Sequence, residues 1–316
     1  MSQVLIVGVD TIVGANFAAS LAEHDRVFGL CATQQLSILG CETERCDEDD
    51  SSAAKNWIAR IKPEWVIFCS PASQAIANES HGIDLPESLI DGAGDWASAA
   101  GRKGIPFTAI SSDAIFTGPW IFHEEESTSF CDSHNANIIR RMEIAIRTAH
   151  ADSLIVRTHA IGLSPAGVNG VLESMHAALK QRAKLDVDCI RHATPILATD
   201  LAEIVDRANQ SNLTGTYHIA GAERVNPFQF AERLADEFDF APPQQVESRL
   251  LSERPTGFGS GETSLQTLKI RRALGVPMPL LADGIRRLHQ QHLTGFADRF
   301  HVSASPTTSW KEEFVA

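Results

Sequence analysis

Short apolar runs alternate with helix-forming segments along most of this chain, and the first run stops at a glycine turn. Val4 to Val7 end at Gly8, and Ala15 to Glu23 then carry helical spacing, so the opening reads strand, turn, helix. The pattern repeats. Arg26 to Leu30 is a second strand, Ala53 to Ile61 a helix, and WVIFC at 65–69 another apolar run. Leu89 to Ala100 is a helix, Ile105 to Ile110 a strand, Asn137 to Ala149 a helix, and SLIV at 153–156 a strand. Strands separated by helices of this length indicate an α/β fold of alternating strands and helices; in an open parallel sheet, ligands lie at the carboxyl ends of the strands.

Composition narrows the function. A formal net charge of −13 over 316 residues argues against sequence-independent nucleic-acid binding, which needs many Lys and Arg contacts to phosphate. No apolar run is long enough to span a bilayer, and Met-Ser-Gln leads directly into the first strand without a leader, so a cytoplasmic protein with no membrane partner is expected. The 6 cysteines lack C-x-x-C spacing and the 12 histidines lack H-E-x-x-H spacing, so no metal site is expected.

The first turn reads Gly8, Val9, Asp10, Thr11, Ile12, Val13, Gly14, the place where a dinucleotide fold holds pyrophosphate on free helix-start N–H groups. Thr11 puts a branched side chain at the middle of this turn. If that position needs a positive φ, threonine costs about 1–2 kcal/mol there; alternatively its hydroxyl donates to a phosphate. Asp10 adds negative charge beside an anion site. The second strand ends in Cys31, Ala32, Thr33, with neither the acid that holds ribose hydroxyls nor the arginine that accepts a 2′-phosphate.

The stretch SSDAIFTG at 111–118, the acidic loop Glu124 to Glu126, Lys62-Pro63-Glu64 before WVIFCSPAS, LIVRT at 154–158, GTYHIAG at 215–221 and Arg254-Pro255 occur in the order found in the dTDP-4-dehydrorhamnose reductase family. These are extended short-chain dehydrogenases that reduce a keto group on a nucleotide-linked sugar, and the chain resembles them over about residues 3 to 292. The resemblance implies a doubly wound parallel sheet in a Rossmann dinucleotide-binding unit at 1–165 and 190–222, a small C-terminal substrate domain at 166–189 and 223–292, and a tail at 293–316 without family counterpart, expected to be loosely ordered or to lie on a partner. It implies cofactor contacts from Gly8, Thr11, Ile12, Val13, Gly14, Cys31, Asp47, Ser70, Pro71 and Ala72, and substrate contacts from Asp113, Phe116 and Arg254. The cofactor would be NADP or NAD, held weakly because of the altered turn.

The family pattern continues with Y-x-x-x-K opening a helix, and here it fails. Ungapped from Ser112, the tyrosine falls on Ala136 and the lysine on Arg140; aligned on Glu143, they fall on Asn135 and Ile139. The chain's single tyrosine, Tyr217, belongs to the GTYHIAG strand. Ser112 matches the hydroxyl that polarises the carbonyl, Arg140 keeps a positive charge without being an acid, and His134 lies close to the lost tyrosine. The expectation is a reductase-like protein that has lost normal hydride transfer and serves as a sugar-nucleotide-binding or regulatory protein. The alternative is an active reductase or epimerase with another proton donor. Expected partners are a nucleotide sugar or related small molecule, and a protein partner or a second copy of the chain.

Overall fold

The structure, a computed structural model, describes residues 1–46, 52–73, 85–165, 170–185, 189–245 and 261–302. Among them, the strands are β1 (Gln3–Val7), β2 (Arg26–Cys31), β3 (Leu36–Ile38), β4 (Cys41–Arg45), β5 (Trp65–Cys69), β6 (Phe107–Ser112), β7 (Leu154–Thr158), β8 (Ala160–Ile161), β9 (Lys184–Leu185), β10 (Ile196–Leu197), β11 (Gly215–His218), β12 (Gln244–Gln245) and β13 (Phe300–Val302). The helices are α1 (Ile12–Leu21), α2 (Ala53–Ile61), α3 (Ser88–Gly101), α4 (His134–Ala149), α5 (Val171–Lys180), α6 (Ala198–Gln210), α7 (Pro227–Glu237), α8 (Leu268–Leu274) and α9 (Leu281–Leu293).

One sheet runs β11-β7-β6-β5-β1-β2-β4-β3-β13. Its strands from β11 to β4 are all parallel, with the order stepping outward in both directions from β1 and β5. This is the expected doubly wound α/β sheet, and the crevice between β1 and β5 is its switch point. Both faces are covered, which is why β5, β6 and β7 are buried at every position instead of alternating. On one face an apolar core joins Val13, Phe17 and Val205 to Leu172, Phe230 and Ile285 from the second half of the chain. On the other, Trp96, Ile139 and Met142 pack over Phe107 and Val66. No helix among the described residues is long and apolar enough to cross a membrane.

Several boundaries differ from the sequence expectation for local reasons. The first helix begins at Ile12, three residues early, because the Thr11 hydroxyl accepts from the Gly14 N–H as an N-cap. The fourth begins at His134 because Ser133 accepts from the Ala136 N–H. The strand read as Ile105 to Ile110 is shifted to Phe107–Ser112, so both serines belong to β6. Asn226 caps α7 in a full capping box with Gln229, and Pro227 is its first residue, as the sequence indicates. The beginning of the tail lies on the chain's own sheet. There β13 pairs antiparallel with β3, Phe300 is buried, and the Arg299 guanidinium bonds the Ala19 carbonyl and Glu23.

Candidate functional site

The glycine turn is held by the chain's own packing. Gly8 has φ +83°, and a Cβ on it would sit 1.9 Å from the Cys69 carbonyl oxygen of β5. A Cβ on Gly14 would sit 2.1 Å from the Gly8 carbonyl oxygen. Thr11 is extended (φ −84°, ψ 158°), so the positive-φ cost considered above does not arise. Its hydroxyl donates to the Gly8 carbonyl at 2.8 Å and accepts from the Gly14 N–H at 3.0 Å, turning inward instead of toward a phosphate. That capping uses one helix-start donor. The Ile12 and Val13 N–H groups have no partner among the described residues and remain available to an anion.

Asp10 occupies the ribose side. Its carboxylate accepts from the backbone N–H groups of Ala32 (3.1 Å), Thr33 (2.6 Å) and Gln34 (3.0 Å) and from the Thr33 hydroxyl (2.8 Å). The negative charge thus organises the turn after β2. The Cys31 side chain is buried in the core, where burial pushes its thiol up to about 11, and its sulfur accepts from the Leu36 N–H at 3.5 Å. Ser70, Pro71 and Ala72 form the tight turn after β5, with the Ser70 hydroxyl accepting from the Ala72 N–H and Ser70 and Ala72 buried. Asp47 and Arg254 lie outside the described residues.

At the end of β6, Ser111 and Ser112 point to different partners. The Ser111 hydroxyl donates to Glu143 at 2.6 Å, and Glu143 is bound by the Arg157 guanidinium at 2.6 Å, a buried ion pair that fastens α4 to β7. Ser112 is 2% exposed, and its hydroxyl accepts from the Ala114 N–H, capping the short 3-10 turn 113–115. Phe116, expected against substrate, is fully buried, stacked on His123 at 4.5 Å and Phe130 at 5.7 Å. Beneath it, burial holds His123 below the usual imidazole range and pushes His218 down to about 3, so both rings are neutral. The acidic loop is fixed here as well. Glu125 accepts Arg157 through its carbonyl and the His218 N–H through its carboxylate, whose pKa burial raises.

The tyrosine positions are filled. Ala136 is fully buried, and the Asn135 side chain accepts from the Leu85 N–H. The Arg140 guanidinium lies 3.9 Å over the Phe130 ring, half-buried. His134 is exposed at the first position of α4.

Asp113, by contrast, is 2% exposed and carries a histidine that the sequence did not single out. His159 Nδ1 is 2.8 Å from Asp113 Oδ2, the same oxygen that accepts the Thr263 hydroxyl at 2.6 Å. His159 follows β7 directly and lines a mainly apolar cleft. Ile12 from the glycine turn, Arg191, Met175, Asn226 and Phe230 line the same cleft, so the start of α1 and the second half of the chain share one cavity.

Comparison with known proteins follows the same lines. The family described as RmlD substrate binding domain matches residues 1–293. The chain belongs to that family. A dTDP-4-dehydrorhamnose reductase of Sinorhizobium fredii is 25% identical over 249 residues, 75% of this chain and 83% of the relative. The crystal structure of dTDP-4-dehydrorhamnose reductase from Bacillus anthracis in complex with NADP superposes with a TM-score of 0.74 at 19% identity, covering 92% of this chain and 98% of that one. The UDP-glucose 4-epimerase of Thermotoga maritima with UDP-glucose gives 0.73 at 13% identity, covering 93% and 99%. The family is therefore the one described as RmlD substrate binding domain, and the fold is the one shared with these reductase and epimerase structures.

Proposed function

We propose that the protein binds a nicotinamide dinucleotide and a nucleotide-linked sugar in this cleft and reduces or epimerises the sugar without a tyrosine donor. The observation that carries this is the shared cavity, in which Ile12 of the glycine turn and His159 at the end of β7 stand on one wall system. The Ile12 and Val13 N–H groups would hold the pyrophosphate, and segments 166–189 and 223–292 would form the sugar-facing unit. When bound, the dinucleotide supplies or takes the hydride. The protein's own residues orient the sugar, exclude water through the apolar wall and move the proton.

NADP and UDP-glucose are bound by the neighbours named above, which supports nicotinamide and nucleotide-sugar ligands for this chain. A thermal-shift panel of NADH, NADPH, dTDP and UDP sugars tests it, because a ligand that binds only the folded state raises its stability by about 2.7 kcal/mol at a hundredfold excess over Kd. No shift with any dinucleotide would overturn the proposal.

The second reading is binding without turnover, as a regulatory protein. It is favoured by Ser112, whose hydroxyl is buried and engaged as a cap, and by Arg140, whose guanidinium is stacked on Phe130. Ligand-induced shifts together with no hydride transfer to or from any sugar in the panel would decide for it.

A further inference from the structure

We infer that His159, positioned by Asp113, is the proton-transfer group of this site in place of the missing tyrosine. The inference rests on the reductase or epimerase reading above. Of the residues lining the cleft, His159 and Arg191 are the two that titrate, and a guanidinium does not give up its proton in a protein. The other candidates are placed elsewhere. His134 is exposed at the start of α4, Ser112 is engaged as a cap, and His123 and His218 are kept neutral inside the core.

The geometry around His159 is that of a held imidazole. Asp113 is buried and accepts Nδ1–H at 2.8 Å, which fixes the ring's orientation and tautomer and leaves Nε2 without a partner among the described residues. Thr263 donates to the same carboxylate oxygen at 2.6 Å and locks it in turn. The three groups come from the end of β6, the end of β7 and the segment before α8, so the arrangement is built by tertiary packing. The residue so held is also one that lines the cleft.

In the reducing direction, a bound dihydronicotinamide would supply the hydride, itself becoming oxidised, for a new C–H bond at the sugar carbonyl carbon. The C=O π pair moves onto oxygen, and that oxygen takes the proton from Nε2. The imidazolium becomes neutral imidazole, with Nδ1–H still on Asp113. In the oxidising direction the same nitrogen takes the hydroxyl proton as hydride leaves carbon.

Two measurements test this on the full chain. With NADH or NADPH and dTDP-4-keto-6-deoxyglucose, His159→Gln is expected to lower kcat by about 10²–10⁴-fold, the usual contribution of general acid catalysis. Dinucleotide Kd should stay within about twofold, and free imidazole should restore part of the activity to His159→Gly. Independently of turnover, the ring nitrogen signals of His159 in ¹⁵N-histidine-labelled parent should move when dinucleotide and dTDP sugar are added together, and should be absent from His159→Gln. Turnover that survives His159→Gln, or ring signals unmoved at ligand saturation, overturns the donor role alone. A parent that binds ligands but turns over no sugar overturns the reductase reading and the donor role with it.

Discussion

At the scale of single residues, several positions where the resemblance implies ligand-facing groups hold groups satisfied by the chain itself. Thr11 shows this most directly. Its hydroxyl bonds the Gly14 N–H, so the cap competes with an incoming phosphate for a donor. Thr11→Ala should cost about 1 kcal/mol of stability as a lost N-cap and Thr11→Gly only a few tenths. Both should tighten dinucleotide binding, the first by freeing the N–H and the second by also removing the side chain. Urea melts and calorimetry measure the two effects, and unchanged affinity in both variants would show that the cap does not compete. Ala136 tells a similar story. Because it is fully buried, Ala136→Tyr with Arg140→Lys should overpack α4 and cost about 1–3 kcal/mol without raising turnover above the parent's. A stable, more active double variant would return the proton to the tyrosine position.

Among elements, much of the fold was legible in the sequence because each strand and helix carries its own local signal. The apolar runs announced β1, β2 and β5. What stayed hidden depends on partners distant in the chain. The edge strand β13 is three residues long and has no periodicity of its own; it is ordered by Phe300 and by pairing with β3. Phe300→Ala should therefore cost about 3–5 kcal/mol, the range for a buried Phe, where an unattached tail would lose nothing in a thermal melt. Ser111, Glu143 and Arg157 form a second such partnership, joining β6, α4 and β7. Glu143→Gln leaves a buried guanidinium without its carboxylate and should cost about 3–5 kcal/mol, measurable by urea unfolding. The candidate site was half legible for the same reason. Motif positions located Gly8, Gly14, Ser112 and Asp113, whereas His159 follows Arg157-Thr158 as an unremarkable strand-end residue. Its partner lies 46 positions earlier, and no pattern in the chain joins them.

Over the whole molecule, buried imidazoles tie stability to pH. His218 is fully buried at the end of β11, bonded to the His123 carbonyl, and burial pushes its pKa down to about 3. The unfolded chain, with an ordinary imidazole near 6.5, therefore binds more protons than the folded chain between those values. The His218 contribution is fully present above about pH 6.5 and is lost as pH falls toward 3, by about 1.4 kcal/mol per pH unit within that window. Asp200 works in the opposite sense. Burial raises it to about 6 against the pull of Arg287, so the folded chain holds the extra proton and the penalty of ionising Asp200 appears as pH rises through that value. Because the two slopes oppose each other between about pH 4 and 6, the total pH profile hides both, and the measurement is a difference. Parent and His218→Gln should be compared by urea unfolding at pH 7 and pH 5. Between those values the stability gap should shift in the variant's favour by about 2 kcal/mol, since the parent alone must keep a ring neutral that its unfolded chain protonates. A gap that does not change with pH would mean that His218 takes up its proton inside the fold, where its ring meets Phe116 edge-on.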